Sequence, residues 1–297
     1  MSGPETWRRW ALALPALAAI MLFSILPLGV VFLYSFLTPG DFGNVKWVFS
    51  TDGWFSVLFE RNIFDETIAI SYANLGILFR SIELSIATTL ITLIFGVPTA
   101  WFIATRAPAQ RNFWLFLITI PFWTNLLVRT IAVQEMIRSE GVLNRILMAT
   151  GLIREPIQMM FTDFAVLLGM TYVFLPLMVL PVYAAIEKFD FRLAEASYDL
   201  YASRFFCLRR VILPLIRPGI IAGSILVFVP SLGAYVTPRI MGGGKSMMLG
   251  NLIDLQFGQG RNWPLGAALS ITLTILVLLA LVWYTRITSG RKERHHG

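Results

Sequence analysis

Six long runs of this chain contain no charged residue, and they restrict its fold more than any other feature. The runs cover residues 10–40, 84–105, 112–128, 164–186, 218–238 and 262–285. A helix that crosses a bilayer needs about 20 apolar residues, and lengths of about 17 to 25 are tolerated. In lipid every backbone polar group must be paired within the protein, so only helices or closed barrels can cross, and unbroken runs exclude barrel strands. The sequence therefore predicts an all-α membrane protein with a bundle of six transmembrane helices.

Composition supports this fold class, because 57% of the residues are hydrophobic and only 14% are charged. A soluble domain typically carries about 25% charged residues. The first run is too long for a cleaved signal peptide, so we expect it to be retained as a helix. We expect one transmembrane domain over residues 1–297, with the third span continuing past Arg129 to about Glu135. The expected spans are about 10–37, 80–104, 113–136, 163–186, 218–239 and 263–285, with a cytoplasmic segment at 187–217.

Arginine and lysine are distributed unevenly over the loops, and their distribution predicts the orientation of the chain. With the N-terminus inside the cell, the loops on that side hold about twice as many basic residues as the outer loops. Cytoplasmic loops of membrane proteins carry such an excess. We therefore expect both termini and the segment 187–217 to be cytoplasmic. The same distribution accounts for the net charge of +7, so no nucleic-acid partner is expected.

The segment 187–217, called the coupling segment below, is charged and helix-forming although apolar spans flank it. Its apolar residues mark the faces of two short helices with a turn near 201–203. Pro214 and Pro218 are expected to close this unit and start the next span, because proline lacks the N–H that a helix interior needs. A charged helical segment in this position indicates a soluble partner. The alternative is an amphipathic loop on the inner leaflet, which its arginines would favour.

The spacing within this segment resembles the signature loop of ABC importer permeases. That loop has the order Glu-Ala-(Ala)-x-x-x-(Gly)-x(9)-Ile-x-Leu-Pro, and the matching residues are Glu195, Ala196, Ser197, Tyr201, Val211, Leu213 and Pro214. Other stretches resemble one branch, the PotB-type permeases of spermidine/putrescine importers. They are 121–125, 186–188, 218–223, 263–264 and 266–268, so the likeness covers about residues 10–285.

The resemblance implies the permease subunit of a type I ABC importer in the bacterial inner membrane, without catalysis of its own. It implies a second permease subunit in a heterodimer, two cytoplasmic ATPases that use ATP and Mg, and an external substrate-binding protein. This chain itself is expected to bind no cofactor or metal. The loop would dock on an ATPase, and the residues implied for this coupling are Glu195, Ala196, Ser197, Asp199, Tyr201, Ala202, Arg209, Leu213 and Pro214.

Tyr201 departs from this signature, which has glycine at that position. Glycine would suit a left-handed turn that ends the first coupling helix. A tyrosine in that conformation costs on the order of 1 kcal/mol or more. We therefore expect either that the helix ends at a different residue or that Tyr201 contacts the ATPase. Tyr201 at positive φ in an otherwise standard turn would contradict this expectation.

The sequence Gly242–Ser246 resembles a nucleotide-binding P-loop only superficially. The motif needs a glycine five positions before Gly244, where Arg239 stands, and it needs a preceding buried strand. We interpret it as a flexible outer loop. ATP would therefore have to be hydrolysed by a separate subunit.

A pathway for a polyamine needs carboxylates for its ammonium groups and aromatic faces for cation–π contacts, each worth about 0.5–2 kcal/mol. Charged groups in or near spans are functional candidates because they are costly in lipid. Arg129 fits a cationic cargo poorly and is expected to act as a gate or to pair with a carboxylate; alternatively, Arg129 and Glu135 only mark the outer end of a short third helix. The pathway candidates are Glu83, Trp101, Trp123, Asn125, Arg129, Glu135, Tyr172, Tyr235 and Asp254.

Two alternatives stay open at this point. The cargo of such an importer could be iron, thiamine, an opine or another small amine. A self-powered secondary transporter is the competing class, and it would predict inverted repeats and ion-binding carboxylates near mid-membrane. No clear repeat is visible, and the acidic residues lie near the ends of the spans.

Overall fold

The structure is a computed structural model that describes residues 13–40, 43–61 and 68–289. Two antiparallel strand pairs lie between the first and third helices: β1 Leu37–Pro39 with β2 Val45–Phe49, and β3 Phe59–Arg61 with β4 Ile68–Ile70. The helices are α1 Ala13–Tyr34, α2 Asp52–Leu58, α3 Tyr72–Ala104, α4 Pro108–Trp123, α5 Leu126–Ile137, α6 Val142–Ala149, α7 Asp163–Glu187, α8 Arg192–Asp199, α9 Arg204–Leu232, α10 Val236–Met241, α11 Leu249–Phe257 and α12 Trp263–Ser289.

Five helices of the described ranges are long and apolar enough to cross a membrane, namely α1, α3, α7, α9 and α12. Helix α4 passes the same test only together with α5 and α6, from which it is bent by 100°. The prediction of an all-α membrane protein is confirmed. The expected start of the first span at 10–12 and both chain termini lie outside the described residues.

The chain divides into two compact units, and the smaller combines Met1–Gly76 with Leu252–Gly297. Within it, α12 packs against α1 and α2. Gly53 of α2 makes this contact close, because a Cβ there would lie 3.0 Å from the Pro264 carbonyl oxygen. The Trp54 indole N–H donates to the buried Ser35 hydroxyl at 3.1 Å. These contacts attach α2 to the ends of two spans.

The larger unit, Ile77–Asn251, contains α7 and α9 packed side by side. Gly219 and Gly223 of α9 face α7 so closely that a Cβ would collide with Pro181 or Met178. Small residues of this kind let transmembrane helices approach, since lipid supplies no hydrophobic force between them. The resulting core continues through Ile186 to Ala194 of α8. The coupling segment is therefore built onto the bundle core.

The third predicted span is wrong as a single helix over 113–136. The structure breaks it into α4 and α5 at Thr124 and Asn125, both of which have extended backbone angles. The Asn125 Oδ1 accepts the N–H of Leu127 at 2.8 Å and so caps a new helix. Asparagine favours such a cap over a helix interior because its side chain competes for backbone hydrogen bonds.

The fifth predicted span, 218–239, is also bounded differently. Helix α9 begins at Arg204 and runs without interruption past Pro214 and Pro218, so these prolines do not close the coupling segment. A π turn precedes Pro214, where the Leu213 N–H reaches back to the Leu208 carbonyl. This wider turn changes the hydrogen-bond pattern at the point where proline removes a donor. Two helices joined by a turn are present, but the second one is the start of the span.

The other end of this span stops early, at Leu232. The chain then leaves the helix through Gly233 and Ala234 and re-forms as α10. The carbonyl of Tyr235 accepts the side-chain amide of Asn251 at 2.7 Å. Because non-helical backbone at this depth needs a partner, this long-range bond stabilises the break.

Candidate functional site

Helix α8 is attached to the bundle by one face and exposes the other. Ala194 is buried in the core that contains Cys207. Phe191, just before the helix, lies with its ring 5.8 Å from the Trp101 ring of α3, measured between centroids. The carboxylate of Glu195 is on the exposed face. The segment is held against the bundle while its charged face stays accessible.

The residues implied in ATPase coupling form a largely exposed surface at this end of the larger unit. Ser197, Ala202 and Leu213 are half-buried, whereas Glu195, Ala196, Asp199, Tyr201, Arg209 and Pro214 are exposed. Large apolar side chains stand among them, with Leu200 82%, Tyr201 99% and Phe205 70% exposed. An exposed apolar patch among polar residues marks an interaction surface.

Tyr201 ends α8 with φ at +60°. Its N–H donates to the Tyr198 carbonyl at 2.9 Å, and the N–H of Ala202 donates to the Ser197 carbonyl at 3.0 Å. These two bonds define a Schellman motif with tyrosine in the left-handed position that usually holds glycine. The either-or expectation for this residue is therefore wrong by the outcome named above, because Tyr201 has a positive φ in a turn that keeps the glycine geometry. Contact between Tyr201 and an ATPase stays a prediction.

The strained turn is followed at once by the start of α9. The Ser203 hydroxyl caps that helix by accepting the N–H of Phe206 at 3.2 Å. Hydrogen bonds at the end of α8 and at the start of α9 therefore hold Tyr201 in its left-handed conformation from both sides. A left-handed residue other than glycine persists only where its surroundings enforce it, at a cost of about 1–2 kcal/mol.

Tyr198 of α8 is 46% exposed, and its phenol interacts with the Cys207 thiol near the start of α9. A hydrogen bond with the Cys207 thiol raises the pKa of the Tyr198 phenol, and desolvation acts in the same direction. The phenol ordinarily titrates near pH 10, so it is neutral at physiological pH. The exposed charges of this surface therefore come from carboxylates and guanidinium groups.

Two of the predicted pathway residues have local structural functions. Glu135 forms an ion pair with Arg138 one turn later, at 2.8 Å, and both side chains are 56% exposed. Asn125 is the cap of α5, as described above. Asn125 stands in the break after α4 and Glu135 lies beyond it in α5, so no single continuous helix reaches Glu135.

Two further candidates serve the packing of the larger unit. Trp101 is half-buried and packs against Phe191 of the coupling segment. Tyr235 accepts the amide of Asn251 through its backbone, and its side chain is 47% exposed. Neither geometry requires a cargo, although the Tyr235 ring stays accessible.

The remaining aromatic and acidic candidates are exposed. Glu83 lies on the outside of α3, and Trp123 at the end of α4 is 87% exposed. Tyr172 of α7 is 41% exposed and lines a groove described below. Asp254 is exposed on α11 in the smaller unit. Their assignment to a translocation pathway stays a prediction.

Arg129 carries unused hydrogen-bonding capacity inside the larger unit. Its guanidinium carbon lies 5.5 Å from the centre of the Phe122 ring. The Nε and Nη1 atoms are buried, and within the described part of the chain they have no hydrogen-bond partner. A buried guanidinium in this state is costly. No carboxylate of the described residues pairs with Arg129, and its function as a gate stays a prediction.

Sequence reasoning missed a polar network at the opposite end of this unit, called the Asp163 network below. Asp163 begins α7 and pairs with Arg80 of α3 at 3.0 Å. Its other oxygen accepts the Ser246 hydroxyl at 2.6 Å. The neighbouring Ser81 hydroxyl accepts the N–H of Leu249 at 2.7 Å. The position of Asp163 at the start of a span was a visible signal, but its partners are 83 residues away in either direction.

This network also corrects the interpretation of Gly242–Ser246 as a flexible outer loop. Met241, Met248 and Leu249 around it are buried. A Cβ at Gly242 would lie 2.8 Å from Val166 Cγ2, so glycine permits close packing against α7. The segment is a packed connection between α10 and α11. It follows a helix, whereas a P-loop follows a buried strand.

Comparison with known families agrees with this architecture. Residues 67–292 match the family described as binding-protein-dependent transport system inner membrane component. The chain is 41% identical over 267 residues to the spermidine/putrescine transport system permease protein PotB of Escherichia coli strain K12, covering 90% of this chain and 93% of that protein. It is 38% identical over 267 residues to the Haemophilus influenzae protein of the same name, covering 90% and 89%.

Solved structures with the same fold belong to ABC transporters. A bacterial transporter involved in the import of the acidic polysaccharide alginate has a chain that matches with a TM-score of 0.65 at 16% identity, covering 99% of this chain and 97% of that one. The inward-facing MetNI methionine transporter matches with a TM-score of 0.54 at 17% identity, covering 73% and 94%. At such identity the likeness shows the fold alone, which is that of type I ABC importer permeases.

Proposed function

The chain belongs to the family of binding-protein-dependent transport system inner membrane components, and we propose that it forms the pathway of an ATP-driven importer for a polyamine, spermidine or putrescine. It is a multi-pass protein of the bacterial inner membrane. The observation that carries the substrate class is the identity of 38–41% with PotB-type permeases over 90% of the chain. The family match over residues 67–292 includes the coupling segment and the spans from α3 onward.

Energy enters this importer through the coupling segment. An ATPase below the membrane would hold the exposed face of α8, with Leu200, Tyr201 and Phe205 as apolar contacts. Since Ala194 and Cys207 are buried in the bundle core, a movement of α8 would be transmitted to α7 and α9. Closure of two ATPases on ATP would thus turn the pathway outward, and hydrolysis would reset it.

The other partners follow from the same proposal. A second, similar permease would complete the pathway, and an external binding protein would deliver the polyamine. One of the alginate transporter structures contains an alginate-bound periplasmic protein, and a corresponding arrangement would place a delivery protein on the outer side here. ATP and Mg would be bound by the ATPases. The permease chain would contribute no catalytic residue.

Uptake into reconstituted vesicles tests the substrate. Labelled putrescine or spermidine should accumulate when the second permease, the ATPases and the binding protein are present, and unlabelled polyamine should compete. Thiamine or an opine at the same concentration should not compete. Accumulation that only these other compounds suppress would overturn the polyamine assignment while leaving the importer class intact.

Glu195→Ala tests the coupling function, because this carboxylate lies on the exposed face of α8. Uptake should fall while ATP hydrolysis continues and membrane insertion is normal. Glu140→Ala is the matched control, since Glu140 is an exposed glutamate of the outer loops, and it should leave the ratio of uptake to ATP hydrolysis unchanged. Normal uptake by Glu195→Ala at normal expression would count against the coupling assignment.

A further inference from the structure

An apolar groove opens on the side of the larger unit between α3, α4 and α7. Its volume is about 510 Å³, and one end is lined by Phe102 and Trp114. Thr99 and Tyr172 supply the polar side chains of its lining, which contains no carboxylate in the described part of the chain. The groove is therefore suited to a hydrocarbon chain, and it lacks what a polyamine would require.

Three prolines explain why this groove exists. Pro98 of α3, Pro121 of α4 and Pro176 of α7 lie in its wall, each of them inside a helix. A proline removes one helix hydrogen bond and its ring pushes on the preceding turn, so the helix bends or widens there. Because all three helices are distorted by a proline beside the same groove, they cannot pack tightly against one another there.

One end of the groove leads to a polar mouth. A second concavity shares Phe102 and Trp114 with the groove and is also lined by Arg106 and Gln110. The Arg106 guanidinium carbon lies 4.1 Å from the centre of the Phe102 ring. The Arg106 carbonyl accepts the Nε–H of Arg111 at 2.9 Å, which holds this connection in place. The Arg106 guanidinium thus lies over an aromatic ring at this mouth.

No carboxylate of the described residues pairs with Arg106, although other arginines of this unit are paired. The ring beneath it provides a cation–π contact and leaves the guanidinium N–H groups at the mouth accessible. Guanidinium groups match the geometry of phosphate oxygens, with which they form charge-assisted hydrogen bonds. The mouth therefore fits an anionic oxygen ligand.

The mouth lies at the cytoplasmic end of the unit. Ala104, two residues before Arg106, is buried in the same core as Ala194 of α8. The coupling segment and the loop between α3 and α4 are thus neighbours. Headgroups of the inner leaflet lie at this level, and in that leaflet anionic lipids attract basic residues.

We propose that this groove binds an anionic phospholipid of the inner leaflet. One acyl chain would lie along the three prolines, and the headgroup phosphate would accept hydrogen bonds from Arg106 and Gln110. An apolar groove with a cation at one end matches a phospholipid, which has an acyl chain joined to an anionic headgroup. A side chain of the second permease could fill the apolar part, but it would not explain the accessible guanidinium at the mouth.

Native mass spectrometry of the assembled importer tests the proposal, with added phosphatidylglycerol or phosphatidylcholine of equal chain length. The wild-type assembly should retain phosphatidylglycerol in preference. Arg106→Gln should reduce this preference about tenfold, which is the factor expected when one charge-assisted hydrogen bond to the headgroup phosphate is lost. Arg106→Lys should keep most of the preference, because it keeps the charge. Leu117→Trp, which narrows the groove, should reduce the binding of both lipids.

Arg286→Gln serves as the matched control, because Arg286 is an exposed arginine of α12 in the smaller unit. It should leave the preference unchanged. The proposal is overturned if Arg106→Gln retains the wild-type preference, or if Arg286→Gln loses as much. Displacement of the bound lipid by inorganic phosphate alone would also overturn it, since the acyl chain would then contribute nothing. The measurement needs no transport, so it fails or succeeds independently of the polyamine assignment.

Discussion

The two ends of the larger unit treat their polar and apolar groups in opposite ways. At the coupling segment, the side chains of Leu200 and Tyr201 are 82% and 99% exposed. The backbone at Tyr201 is strained, because its φ is positive. At the Asp163 network, both carboxylate oxygens have partners, and the buried Ser246 hydroxyl donates to one of them. The coupling segment exposes apolar side chains that nothing in the larger unit covers, whereas the polar groups of the Asp163 network are paired within the chain.

This difference teaches how each end contributes to transport. A surface with open apolar contacts gains free energy only when another protein covers it. A polar network in which every group is paired stabilises the folded chain. If one partner is removed, the desolvation free energy of the remaining group is no longer compensated. Changes at the coupling segment should therefore affect association, and changes at the Asp163 network should affect folding.

Leu200→Asp should have the largest effect. Covering an exposed leucine contributes about 1.5–3 kcal/mol, so ATPase affinity should fall by about tenfold or more while thermal stability stays the same. Titration of the ATPase onto the purified permease pair measures this. Leu152→Asp is the control, because Leu152 is 73% exposed on an outer loop. Unchanged affinity in Leu200→Asp would remove the contrast between the two ends.

Asp163→Ala should give the opposite pattern. It removes the ion pair with Arg80 and the bond from Ser246, and we expect a loss of about 1–2 kcal/mol of stability, discounted because the paired side chains are 37% and 46% exposed. Thermal unfolding in detergent should show the loss, with ATPase affinity unchanged. Asp199→Ala on α8 provides the reciprocal case. If it destabilises the protein as much, the comparison fails.

Tyr201→Gly should separate strain from contact at the turn. Glycine relieves the left-handed strain of about 1–2 kcal/mol but adds backbone entropy to the unfolded chain, so a net stabilisation of about 0.5–1 kcal/mol is expected. Hydrogen exchange at the Tyr201 and Ala202 amides should slow accordingly. ATPase affinity should decrease if the ring is a contact. An unchanged affinity would assign the exposed ring no function in docking.

Glu135→Gln should have the smallest effect. Its ion pair with Arg138 is exposed on one helix, and such pairs contribute about 0.3–0.5 kcal/mol at most. Stability and ATPase affinity should both stay within error. A marked loss of polyamine uptake with unchanged stability would instead support the assignment of Glu135 to the pathway.

Local patterns predicted the features that depend on neighbouring residues. The charge-free runs predicted the fold class, because lipid admits only helices with every backbone group paired. The apolar pattern of the coupling segment predicted two helices and a turn near 201–203, and the turn is present. The same reasoning failed at Tyr201, since intrinsic preference underestimates a turn that capped helices on both sides enforce.

The sequence by itself determined that this is a helical membrane protein with an exposed segment like that of ABC permeases. The break after α4 and the start of α9 at Arg204 are set by local caps at Asn125 and Ser203, which hydropathy alone does not predict. Only the tertiary structure decided that Asp163 joins Arg80 and Ser246. It also brought the prolines of three helices to one groove. The physical reason is range: hydropathy and turn chemistry act within a few residues, whereas these contacts join residues that are far apart in the chain.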